Sequence, residues 1–125
     1  MRPTYCAVAL GIAACAAQAA PPEDVYEQGL ALYERGYYRQ ALAAVSDAAE
    51  QGHVRAQEMA GLMHLAGPVL YGDQVARDEA TGRAWLARAA HAGSEMARRI
   101  ACAGSGVPRA ECATDRHVST QGVSR

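Results

Sequence analysis

The chain contains no lysine and no phenylalanine, and only one tryptophan, Trp85. Its 12 basic residues are all arginine and face 13 acidic ones, for a formal net charge of -1. A balance that close excludes a general electrostatic drive toward nucleic acid or an anionic membrane. The signatures of common catalytic machinery are also missing. There is no P-loop and no dinucleotide fingerprint, and Ala66-Gly67-Pro68 is a helix stop, not a phosphate cradle. His53, His64, His91 and His117 are scattered. No pair of them has helical i, i+4 spacing with a cysteine or carboxylate nearby, so neither metal nor cofactor is expected. Ser46, Ser94, Ser105 and Ser119 fall in caps or tail, without the context of a nucleophile elbow. An enzyme is not expected from this inventory.

What is present begins with a leader. Met1-Arg2-Pro3 supplies one positive charge, Tyr5 to Ala17 is uncharged and apolar, and Ala17-Gln18-Ala19 places small residues where a signal peptidase reads. This three-part pattern marks residues 1–19 as a secretory signal peptide. The apolar run is too short for a membrane span. Ile12-Ala13-Ala14-Cys15 resembles a bacterial lipobox and offers a second cut, with Cys15 as the lipidation site. The cut after Ala19 is preferred, because the other would leave an unusually short leader. Either way the product is exported, to the periplasm or the medium, and touches a membrane only if lipidated at Cys15. Both cuts leave Cys102 and Cys112, an even pair in an oxidising compartment, and these are expected to form a disulfide. Closing so short a loop would stabilise by roughly 2.5–3 kcal/mol.

After the leader the chain has helical periodicity. Pro22 suits a first turn, and Val25 and Leu32 begin an apolar stripe that stops at Gly36. A second helix carries Ala41, Val45, Ala48 and Ala49 and stops at Gly52. A third runs from about Val54 to Leu65, ahead of Gly67-Pro68. Residues 67–77 read as a loop. Asp78 caps a fourth helix with Trp85, Leu86, Ala89 and Ala90, and Ser94 caps a short fifth one with Met96 and Ile100, stopped at Gly104. Trp85 reads as a core plug, His64 as packed at a helix-pair interface and His91 as solvent-facing. Residues 20–104 therefore form one all-α domain, and 105–125 a flexible polar tail partly tied by the disulfide.

Two stretches repeat. Ala48, Ala49, Gly52 and Ala56 fall on Ala89, Ala90, Gly93 and Ala97 at a constant offset of 41 residues. A period near that length signals stacked helix-turn-helix units, a short α-solenoid of about two repeats plus a capping helix. Gly29, Ala41 and Ala48 stand where paired helices must approach closely.

The pattern Ala56-x-x-x-Ala60-Gly61-x-x-His64-x-x-Gly67, then Val75-x-x-Asp78 and Trp85-x-x-Arg88-Ala89-Ala90-x-x-Gly93, resembles a Sel1-like repeat. Val25, Gly29, Gly36-x-Tyr38-x-x-Ala41 and Val45-x-x-Ala48 are similar to a tetratricopeptide unit. The chain departs from the family pattern at Ala60, His64 and Gly82 and in a longer loop after Gly67. The resemblance implies antiparallel helical pairs and an adaptor or scaffold that binds a protein or peptide. In such arrays the first helix of each pair lines a concave face. Matching Gly29 with Gly61 puts Tyr26, Leu30 and Tyr33 there from the first unit, and Arg55, Glu58, Leu62 and Leu65 from the second. An envelope lipoprotein with a structural role is the alternative. An enzyme or enzyme inhibitor ranks below both.

Overall fold

A computed structural model describes residues 20–103; the leader, the tail, Cys15 and Cys112 lie outside the described residues. The described chain is all-α: α1 (Pro22–Glu34), α2 (Tyr38–Glu50), α3 (Val54–Ala66), α4 (Pro68–Tyr71), α5 (Glu79–His91) and α6 (Glu95–Ala103). A single 3-10 turn, Gly72–Gln74, follows α4. Consecutive helices pack on one another, α1 on α2, α2 on α3, α3 on α5 and α5 on α6. A short turn joins α1 to α2 as a hairpin, whereas α3 and α5 pair across the longer connection of residues 67–78.

Local chemistry sets the helix ends. Pro22 occupies the first turn of α1, with Glu23 and Asp24 at its positive end. The Asp78 carboxylate accepts from the Thr81 N–H at 3.0 Å and caps α5. The Ser94 hydroxyl accepts from the Ala97 N–H at 3.0 Å and caps α6. Position 53 corresponds to 94 at the repeat offset, and there His53 does the same work. Its Nδ1 accepts from the Ala56 N–H at 3.1 Å, an imidazole used as an N-cap. Gly52 and Gly93 close the preceding helices with φ of 91° and 101°, a left-handed conformation that side chains disfavour.

Residues 67–77, expected as a loop, instead contain α4 and the 3-10 turn. Pro68 starts α4 with its φ already helical. Gly67, at φ 50°, lies so close to Arg77 that a Cβ would come within 2.6 Å of its Cα. Tyr71 and Gln74 then fasten the segment to the first hairpin. Tyr71 is buried beside Tyr33 and Tyr38, with ring centroids 5.9 and 4.9 Å away. The Gln74 amide donates to the Gly36 carbonyl at 3.1 Å and accepts from the Tyr38 N–H at 2.9 Å. Burial pushes the Tyr71 phenol well above its ordinary pKa, and the hydrogen bond with Tyr33 adds to the shift.

The two hairpins share one contact geometry. A Cβ on Gly29 would lie 2.7 Å from Val45 Cγ2, and one on Gly61 would lie 2.8 Å from Leu86 Cγ. Gly82, facing Gly61 from α5, is equally tight, with a Cβ 2.9 Å from the Gly61 carbonyl oxygen. These glycines let the helix axes approach. The spacing from Gly29 to Gly61 is 32 residues and from Ala41 to Gly82 is 41, and the excess is the α4 insertion. Trp85 is 7% exposed and packs with Tyr26, Val45, Ala56 and Ala60, a core position as expected. The Arg88 guanidinium covers its ring at 4.5 Å and also reaches Glu50 at 3.3 Å.

Candidate functional site

The seven side chains expected on a concave face do not stand together in solvent. Tyr26 is 6% exposed; it stacks on the His53 ring at 4.5 Å and joins the core around Trp85. Leu30 packs half-buried against the same core. Tyr33 meets Tyr71, hydroxyl to hydroxyl, at 3.3 Å. Glu58 accepts a hydrogen bond from the Ser94 hydroxyl. Leu65 packs against the cluster of Leu86, Ala89 and Ala97. Only Arg55 and Leu62 are exposed.

The reason lies in the stacking. Tyr26 and Glu58 are equivalent positions of α1 and α3, and each contacts the cap of the following first helix, His53 in one case and Ser94 in the other. In a two-hairpin array the flank of one first helix is covered by the next. Matching Gly29 with Gly61 pairs Tyr26 with Glu58, and stacking sets what each of them meets. His53 completes the first joint, with Nε2 2.7 Å from the Glu23 carboxylate. Because its Nδ1 accepts, the ring proton sits on Nε2 and is donated to Glu23.

Surface features that sequence periodicity missed lie elsewhere. Val69 and Leu70 of α4 are 83% and 65% exposed. An open hollow of about 340 Å³ lies between α3, α5 and α6, lined by Leu65, Arg83, Leu86, Ala87, Ile100 and Ala101. No sequence motif marks it. Its lining residues come from three helices, α3, α5 and α6.

Chemistry-bearing groups are dispersed. Among the described residues, no group of three or more His, Cys, Asp or Glu could hold a metal ion. The Asp78 carboxyl is held below its ordinary pKa, first by the Thr81 hydroxyl and then by the Thr81 N–H, as suits a cap. Arg83 lowers the Glu79 pKa in the same way, by a hydrogen bond and its charge. His64 is half-buried and His91 exposed. Within the described residues the buried Gln57 Oε1 and His64 Nδ1 meet no hydrogen-bond partner. Cys102, in α6, is not free. Among the described residues, no helix is long and apolar enough to cross a membrane.

The fold places the chain in the class of all-α proteins built from consecutively packed helical hairpins. Comparison with family models, with curated proteins and with solved structures gives no match in any of the three.

Proposed function

We propose that this chain is an exported protein–protein interaction module, an adaptor or scaffold of the Sel1-like and tetratricopeptide-like kind. The observation that carries the reading is the repeated joint. The Gly29–Val45 and Gly61–Leu86 approaches, with the Tyr26–His53 and Glu58–Ser94 contacts, recur at equivalent positions of two successive units. Repeat stacking of this sort creates extended surfaces for partners, with no need for a buried reactive centre. Arg55 and Leu62, the exposed pair on α3, are the anchors of the concave face in this reading. Export rests on the leader, and a Cys102–Cys112 bridge belongs to the same reading.

Two measurements test the proposal. Intact mass of the processed protein distinguishes a start at Ala20 from a lipidated start at Cys15, which would favour the envelope lipoprotein. A product starting at Met1 would remove the export claim. The mature chain, used as bait in the envelope fraction, should retain a partner that Arg55→Ala and Leu62→Ala together release. Asp47→Asn, on the exposed side of α2, is the control and should retain it. Equal recovery with all variants would reject the concave face.

A further inference from the structure

The hollow between α3, α5 and α6 has a counterpart inside the molecule. At the repeat offsets, Leu65, Arg83, Leu86, Ala87, Ile100 and Ala101 correspond to Tyr33, Leu42, Val45, Ser46, Met59 and Ala60. In the first unit that surface is covered. Trp85 of α5 packs on Val45 and Ala60, while Tyr71 and Val75 pack against Tyr33, Leu42 and Met59. The cover there is the second helix of the following unit together with the segment leading into it. In the second unit, α6 is a first helix, and no described residue takes the place of the next second helix.

We infer that this hollow is a docking site for an amphipathic helix of a partner protein, seated as the next second helix of the array. The helical part of that internal cover is centred on Trp85, so the occupant must present one bulky apolar side chain in its role. The lining position that changes from apolar to charged specifies its charge. Arg83 stands where the first unit has Leu42; it pairs with Glu79, which also meets Arg77, and on α6 Arg98 and Arg99 both pair with Glu95, so four guanidinium groups meet two carboxylates. A helix with acidic residues beside its apolar anchor complements that rim. Residues 104–125 contain no Leu, Ile, Met, Phe, Tyr or Trp, so that stretch carries no side chain suited to the anchor's role. A hollow of about 340 Å³ is large enough to accept one. The inference rests on the interaction-module reading and names a site and partner chemistry for it.

The test uses the intact mature chain and a fluorescein-labelled peptide with the sequence of residues 79–91 carrying Arg83→Glu and Arg88→Glu. That peptide keeps the tryptophan of α5 and acquires acidic flanks. Fluorescence polarisation should show saturable binding that weakens as salt is raised. Replacing the peptide's tryptophan by alanine should weaken it at least about tenfold. On the protein, Ala87→Glu places a carboxylate in the hollow one turn from Arg83, and it should abolish binding. Ala87 is exposed, so the fold should survive, as helicity by circular dichroism would verify. Ala84→Glu, exposed on the same helix but outside the lining, should bind normally. Absence of saturable binding to the native chain would overturn the inference, as would equal binding to Ala87→Glu. Self-association that Ala87→Glu abolishes would also overturn it, by assigning the hollow to a second copy. If the peptide fails while Arg55 and Leu62 still govern capture, the docking site falls and the module reading stands.

Discussion

Gly82→Ala is the sharpest probe of how this array is assembled, because two effects of opposite sign meet at one methyl group. Gly82 lies in the first turns of α5, where alanine would improve helix propensity by about 1 kcal/mol. The added Cβ would meet the Gly61 carbonyl oxygen at 2.9 Å and Leu65 Cγ at 2.9 Å. A leucine branch can rotate away, but a carbonyl in the middle of α3 cannot. The helices must separate, and overpacking of this kind typically costs about 1–3 kcal/mol. Separation also loosens Leu86, which is 1% exposed and packs against the Gly61 side of the same joint. With the loosening of Leu86 added to it, the steric term outweighs the propensity gain and leaves a net loss of up to about 2 kcal/mol. For a domain of this size that lowers the thermal midpoint by up to roughly 15 °C. Thermal and urea unfolding followed by circular dichroism reads the change directly. Ala84→Gly supplies the opposite control: exposed on the same helix, it should lose only the propensity term. A Gly82→Ala protein as stable as the native one, or more so, would show that α3 and α5 do not approach this closely.

Trp85→Ala should be among the most damaging single substitutions, at about 3–5 kcal/mol by urea denaturation, and native tryptophan emission should be blue-shifted and resist quenching. His53→Ala should cost about 1 kcal/mol by the same assay, whereas His53→Ser, which copies the cap used at Ser94, should recover much of that loss. Tyr71 has a raised pKa when folded, so its contribution is full below the ordinary phenol value of 10.0 and is lost as pH rises toward the folded value. Midpoints measured above pH 10 should therefore fall more steeply for the native chain than for Tyr71→Phe. For Asp78 the sign reverses. Its folded pKa lies below 3.8, so its contribution is full above that value and is lost as pH falls through the folded one. Asp78→Asn should flatten the acid limb of the stability profile.

Sequence alone determined the helices and the repeat, because their causes are local. Pro22, Asp78 and Ser94 start helices through backbone geometry and hydrogen bonds within one turn. Gly52 and Gly93 end them through a backbone conformation that needs no distant partner. The small residues at a fixed offset revealed two units that pack alike, and Trp85 was legible as core because nothing larger competes for the interior. Tertiary structure decided which flank of each first helix meets solvent. The stripe at Tyr26, Leu30 and Tyr33 satisfies the same periodicity whether it faces a groove or the next hairpin, and stacking of α3 on the first hairpin turned it inward. The α4 insertion was hidden for a related reason. Four helical residues lie below the length at which periodicity can be detected, and Tyr71 and Gln74 hold them through contacts made 36 to 38 residues away. The hollow beside α6 exists only where three helices meet, so its lining residues are spread over the sequence and no spacing rule connects them.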